Sequence, residues 1–177
     1  MNGKSLRIVL IAVSAALLIL MMIAPFLVPY GSFTHLDGTA GIMDHWNLWT
    51  STNPLSGAVY AIGDILCHQE MSRSFMLNGS QMAVCARDLS VLIGVFTGLC
   101  VAAASERTAG GRRVLSVSVF LIMTMVIEWI AEHLTGVDIL VLRVTTGILA
   151  GIGIALLLDL LLIRHPEYLF DNDQESY

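Results

Sequence analysis

Two short runs carry most of the reactive side chains. Cys67 is followed directly by His68, and eighteen residues on comes Cys85-Ala86-Arg87-Asp88. Thiolate, imidazole and carboxylate make up the usual tetrahedral ligand set for zinc and similar divalent ions. Cys85 and Asp88 stand at i and i+3, which on a helix gives one face able to point at one ion. Cys67 and His68 would diverge by about 100° on a continuous helix, so they converge only if a helix ends there. Glu70-Met71-Ser72-Arg73 suits such an ending. Asp64, four residues before His68, has the spacing of a carboxylate that orients a ligating imidazole. Cys67, His68, Cys85 and Asp88 are therefore the candidate ligands of zinc or another divalent metal. Two other readings of these residues stay open. The cysteines could form a disulfide facing an oxidising exterior, or they could be small packing residues, as Cys100 is expected to be, with His68 an interfacial histidine.

A second group lies at Glu128-Trp129-Ile130-Ala131-Glu132-His133, where two carboxylates stand at i and i+4. That spacing suits metal binding or proton handling. Like charges so close in a low dielectric favour one protonated partner unless Arg143 or Arg87 intervenes. The sequence contains no His-Glu-x-x-His, no Gly-x-Ser-x-Gly, no phosphate loop and no dinucleotide-binding glycine fingerprint, so no organic cofactor is indicated.

The elements that must position these residues are membrane spans. Of 177 residues, 56% are hydrophobic and 13% charged, against about 45–50% and about 25% in soluble domains. Such sparse charge cannot cover a water-exposed domain. A net charge of −5 with a single lysine, Lys4, excludes the basic stripe that nucleic acid requires. Four apolar runs give expected spans near residues 8–28, 82–104, 114–134 and 139–163. The first is longer than a signal-peptide core and lacks a small-x-small cleavage site, so it reads as an anchor. The expected fold is all-α, a single membrane domain of four helices. A segment at 29–81 lies on one side, and an acidic tail at 164–177 closes the chain.

Six of the nine basic residues (Lys4, Arg7, Arg107, Arg112, Arg113 and Arg164) flank the spans on one side. By the positive-inside rule that side is the cytoplasm. This places both termini inside a plasma membrane and segment 29–81 outside. Apolar residues in that segment recur at 55, 58/59, 62 and 65/66, a helical period too short to span, hence an interfacial or re-entrant helix. Trp46 and Trp49 suit the headgroup layer, or equally core or partner contacts. Asn78-Gly79-Ser80 reads first as a tight turn and also fits a glycosylation sequon. Gly94/Gly98 and Gly147/Gly151 set small faces on spans two and four, which favour close helix packing and would also serve a homo-oligomer.

This topology gathers the ionisable residues of the spans at the outer side, Asp159 excepted. Ionisable groups cost roughly 2.5–3.5 kcal/mol each at mid-span, which makes such a cluster a functional candidate. The plain structural reading is that Arg87 and Arg143 neutralise Glu128 and Glu132 and pin three helices.

Taken together, Cys67-His68-Gln69, Arg73-Ser74-Phe75, Asn78-Gly79-x-Gln81-Met82, Cys85-Ala86-Arg87 and Leu142-Arg143-Val144-Thr145-Thr146-Gly147 resemble a family of small archaeal and bacterial membrane proteins classed as a domain of unknown function. The resemblance runs from about Tyr60 to Gly151. It implies a polytopic membrane protein and brings no activity with it. In the family pattern a cysteine often stands where this chain has Asp88, and a proline where it has Ala83. Aspartate can replace cysteine as a metal ligand but cannot form a disulfide.

The expected function is therefore metal binding by Cys67, His68, Cys85 and Asp88, extending to a metal-dependent membrane enzyme. In that reading Glu128 or Glu132 is the general base, Arg143 or Arg87 holds an anionic group, and the substrate is membrane-proximal. The alternatives are a small proton-coupled transporter using Glu128, Glu132 and Arg143, with Asp159 as an inner protonation stop, and an accessory subunit stapled by a Cys67–Cys85 disulfide.

Overall fold

A computed structural model describes residues 3–39, 41–104 and 110–164. Arg107 and the acidic tail beyond residue 164 lie outside the described residues. The fold is all-α, and among the described residues four helices are long and apolar enough to cross a membrane: Gly3–Leu27, Ala86–Ala104, Gly111–Thr135 and Leu140–Ile163. In chain order the helices are α1 (Gly3–Ile23), α2 (Trp46–Thr50), α3 (Pro54–Leu66), α4 (Ala86–Ala104), α5 (Gly111–Thr135) and α6 (Leu140–Leu158). α6 runs on into a π-helical stretch, Asp159–Arg164. A two-residue hairpin, β1 (Met76–Leu77) with β2 (Ser80–Gln81), pairs antiparallel. The second span begins at Ala86, not at Met82. The chain before it is non-helical, with Met82 N–H bonded to the Phe75 carbonyl at 2.9 Å. At about 1.5 Å per residue, the 19 residues of α4 still cover most of a roughly 30 Å hydrocarbon layer.

The chain divides into two compact units, one of residues 16–89 and one that joins residues up to 15 with those from 90 onward. The first is built on an apolar core that includes Ala24, Phe33, Leu36, Trp49, Val59, Tyr60, Met82 and Ala83. Phe33 packs edge-on against Trp49 and Tyr60, with centroids 5.3 and 4.6 Å apart, and Trp49 stacks on Tyr60 at 5.2 Å. Such rings prefer these geometries for their quadrupoles. Trp49 is thus a core residue, while Trp46 is exposed.

Helix α3 starts where Asn53 caps it, its side-chain oxygen accepting from the N–H groups of Leu55 and Ser56 at 3.0 and 3.3 Å. Pro54 supplies a preset φ at the first helical position. The predicted helical period holds, but the stripe faces outward: Leu55, Ile62, Ile65 and Leu66 are exposed. The buried face carries Ser56, Gly57, Val59, Tyr60, Gly63 and Asp64. An apolar stripe left on the surface is what an interfacial helix presents to lipid. The hairpin turn at Asn78-Gly79 has both residues at positive φ, 51° and 67°, as a two-residue type I′ turn requires. The Asn78 amide nitrogen donates to the carbonyls of Pro25 and Val28 at 2.9 and 3.1 Å, so the sequon side chain is engaged in holding the turn.

In the other unit α5 and α6 form an antiparallel pair. The small faces of α4 and α6 meet within one chain: a Cβ on Gly94 would overlap the Ile148 carbonyl, and one on Gly151 the Val91 carbonyl. Gly98 likewise lies against Ala155. Charge within the spans is paired. Arg7 donates to Asp159 through Nε at 2.8 Å and a terminal nitrogen at 2.5 Å, and Arg143 binds both Glu132 and Asp138. Broad apolar surfaces on α5, with Phe120, Ile127 and Leu134 exposed, are suited to acyl chains.

Backbone contact at Gly151 leaves no flexible group to yield. Gly151→Val is therefore expected to lower stability in detergent by at least the roughly 1–3 kcal/mol of an overpacked core. Gly110→Ser, where an added Cβ meets nothing within 4 Å, should change it by less than about 0.5 kcal/mol. Thermal unfolding of the two purified variants decides; equal midpoints would contradict the packing.

Candidate metal centre

The site is assembled from the end of α3 and the start of α4. Cys67 is the first residue beyond α3, with extended backbone (φ −137°, ψ 148°) and its N–H bonded to the Gly63 carbonyl. The helix thus ends where the two-residue Cys67-His68 step needed it to. Gly63 lets α3 lie directly on the chain before α4, since a Cβ there would overlap the Ala83 carbonyl oxygen. Two buried amides complete the clamp. Gln69, at φ 47°, donates to the carbonyls of Ala83 at 2.7 Å and Tyr60 at 3.4 Å. Gln81 donates to the Gln69 carbonyl and accepts from Leu36 N–H at 3.3 Å. The Tyr60 hydroxyl donates to the Gln81 carbonyl at 2.5 Å.

These contacts bring three side chains together. One ligand atom each from Cys67, Cys85 and Asp88 lies within 4.8 Å of the other two. The Cys85 N–H donates to Cys67 Sγ at 3.3 Å, and Cys85 Sγ lies 3.3 Å from Asp88 Oδ2. Cys67 is buried, Cys85 half-buried and Asp88 exposed, so the cluster opens to solvent on its carboxylate side. Both cysteines are free thiols.

The thiols are electronically unequal. Cys85 is pushed below the ordinary thiol range, first by a hydrogen bond from the Cys67 thiol. A thiolate at a helix N-terminus is favoured in the same sense. Cys67 is pushed far up, first because it is the proton donor to Cys85 and then by burial. Of the two thiols, Cys85 is the more readily ionised and Cys67 the less.

His68 does not join the trio. It is exposed and lines an open cleft of about 810 Å³ with Asp37, Gly38, Glu70, Met71 and Ser72. Asp64 does not orient His68 either. Fully buried, it accepts from the His45 backbone N–H at 3.0 Å, from His45 Nδ1 at 3.3 Å and from Trp49 Nε1 at 2.9 Å. The sequence signal for this anchor was a carboxylate on the buried face of α3, but nothing local marked His45 as its partner.

Glu128, Glu132 and Arg143 belong to the other unit. Arg143, 2% exposed, donates to Glu132 Oε1 at 2.7 Å, and its fork reaches Asp138 at 2.8 Å. Asp138, at the start of the turn into α6, was not singled out from sequence as that partner. Glu128 is half-buried on α5, and Arg87 is half-buried in the first turn of α4.

Residues 67–157, just over half of the chain, match the family model described as predicted membrane protein (DUF2085). The chain belongs to this family. The match opens on Cys67 itself, so the trio, the clamp residues Gln69 and Gln81, and Arg143 all fall within the DUF2085 region. An uncharacterized protein of Methanocaldococcus jannaschii, MJ1492, is 37% identical over 76 residues, covering 43% of this chain and 42% of that protein. The chain thus spans less than half the length of that relative. No solved structure matches this DUF2085 chain.

The unequal thiols make a direct test in chelator-treated protein. A lowered pKa means thiolate is present from a lower pH, so alkylation of Cys85 should reach half its maximal rate below the about 8.5 of an ordinary thiol. Cys67→Ala removes the donor and should move that midpoint upward. Peptide mapping after timed alkylation reads both. A midpoint unmoved by the substitution, or Cys67 reacting first, would refute the assignment.

Proposed function

We propose that this DUF2085 protein is a multi-pass plasma-membrane protein that holds a divalent metal ion of the zinc class through Cys67, Cys85 and Asp88. The observation that carries the reading is the convergence of two sulfurs and a carboxylate oxygen within 4.8 Å. For zinc–sulfur bonds of about 2.3 Å, tetrahedral ligand atoms stand about 3.7 Å apart, inside the 4.8 Å within which all three atoms lie. The Cys85 thiol donates to Asp88 Oδ2 at 3.3 Å, and a divalent ion taking the place of that proton would be held by the same sulfur and oxygen.

The basic residues Lys4, Arg7, Arg112, Arg113 and Arg164 support cytoplasmic termini, which places the trio at the outer face. Three protein ligands leave a coordination position, to be taken by water or by His68 from the adjacent residue. Three ligands plus water is the pattern of a catalytic zinc ion, whose bound water ionises near neutrality. The exposed carboxylate side offers that position to a membrane-proximal substrate. Glu132 and Arg143, already committed to each other, are not needed for this chemistry.

The test is metal content by mass spectrometry on detergent-purified protein without added metal, with free thiols counted in parallel. The expected result is about one ion per chain, lost in Cys67→Ser/Cys85→Ser and reduced in Asp88→Asn. An absent ion with no free thiol at positions 67 and 85 would replace the metal by a disulfide. An absent ion with both thiols free would reduce the trio to packing.

A further inference from the structure

A cavity of about 430 Å³ lies between α5 and α6, within the size range of small-molecule sites. On α5 its wall follows one stripe, from Thr124 through Ile127 and Ala131 to Thr135, and on α6 Leu142 and Thr146 stand one turn apart. The cavity therefore runs along the helix axes, and Thr124 to Thr135 covers about 16 Å of that direction. Its polar members are already engaged within the protein. Thr124 donates to the Leu121 carbonyl at 2.6 Å, Thr135 to that of Ala131 at 2.7 Å and Thr146 to that of Leu142 at 2.8 Å. Glu132 is bonded to Arg143 at 2.7 Å, and Glu128 has an interaction of its own. The cavity thus offers a ligand neither an unspent hydroxyl proton nor a carboxylate without a partner.

What remains is aliphatic wall. Ile127, Val137, Ile139 and Leu142 line the cavity and are also exposed, so it opens onto the apolar surface that these spans turn to lipid. The solvent of that surface is hydrocarbon, and an unfilled groove there would forfeit dispersion contacts along its length. Water would need roughly two to four polar partners to settle in it, and the polar groups of the lining are engaged elsewhere. An aliphatic chain lying parallel to the helices meets both the shape and the chemistry. We propose that the α5–α6 cavity holds one acyl chain of a membrane phospholipid, seated as a discrete site rather than as part of the surrounding bilayer. The binding comes from van der Waals packing, because lipid tails are as apolar as the wall and no hydrophobic gain is available. Ala131 is the smallest side chain in the lining, so a bulkier residue there would fill the space that the chain takes. The site uses none of the trio residues, so it stands or falls independently of the metal reading.

The experiment is native mass spectrometry of the full chain, reconstituted in nanodiscs of dioleoylphosphatidylcholine and then released. One phospholipid per chain should survive release. Ala131→Phe should lower the retained fraction at least about tenfold, while Val119→Phe, at an exposed α5 position outside the cavity, should leave it unchanged. Dihexanoylphosphatidylcholine, which carries the same headgroup on short tails, should displace the retained lipid at least about tenfold less effectively than deuterated dioleoylphosphatidylcholine does. Equal displacement by the short-tailed lipid would overturn the proposal in favour of a headgroup site, even if the Ala131 variant failed to fold. No retained lipid, or a folded Ala131→Phe protein that retains it as the wild type does, would overturn it as well.

Discussion

Irregular backbone buried beside a membrane has to find hydrogen-bond partners within the protein, because neither lipid nor a regular ladder supplies them. In residues 33–38, 67–74 and 80–83 backbone pairs such as Gly38 N–H to the His68 carbonyl and Gln81 N–H to the Phe33 carbonyl supply most of them, and the fully buried side chains of Gln69 and Gln81 supply others. An amide carries donors and an acceptor on one short group, so each glutamine can tie two loops whose carbonyl and N–H groups would otherwise be orphaned. Gln69 bonds the end of α3 to Ala83, and Gln81 bonds Leu36 to the loop after Cys67. Cys67 and Cys85 meet because these amides and Gly63 hold the segments that carry them. Replacing either amide by an apolar side chain would strand several backbone groups at once.

The same rule governs charge in the spanning helices. Arg7 meets Asp159, and Arg143 meets Glu132 and Asp138. A lone buried ion would cost several kcal/mol, and an ion pair recovers that only when its geometry is tight and its remaining hydrogens are bonded. Arg143 fits this description, since its planar fork reaches two carboxylates from one side chain. The pairing also accounts for why α5 and α6 can turn back on each other across so short a connection. Close packing of Gly94 against Gly151 then makes up for the weak hydrophobic drive between helices in lipid.

What could be read from the residues alone divides along physical lines. Hydropathy is a local property, so the four spans and the short helix at 54–66 were legible. The start of the second span was not, because Met82-Ala83-Val84 is as apolar as a helix end while its backbone bonds pair with Phe75 and Gln69. The period of α3 was legible but its orientation was not: in a membrane protein the more apolar face can be the outer one, and the buried face is identified by Gly63 and Asp64. Cys67, Cys85 and Asp88 were legible as a set from residue type and spacing. The exclusion of His68 was not, since one extended residue after α3 decides where the imidazole goes. Nor was His45, whose link to Asp64 spans nineteen residues and leaves no local pattern.

The identity of Asp88, three residues after Cys85, bears on what the cluster is built for. With two cysteines in one helical turn, oxidation could join them and leave Cys67 aside. With aspartate at that position, Cys85 can pair covalently only with Cys67. The carboxylate contributes nothing to a disulfide and stands 3.3 Å from the sulfur that would have to enter it. For a thiol–disulfide couple, a carboxylate there opposes the thiolate without offering a reaction. For a cation the same carboxylate is a third anionic donor, beside two sulfurs whose protons the metal would displace. Asp88 would be a burden in the first case and a ligand in the second, which is the ground on which we propose a cation site in preference to a redox pair.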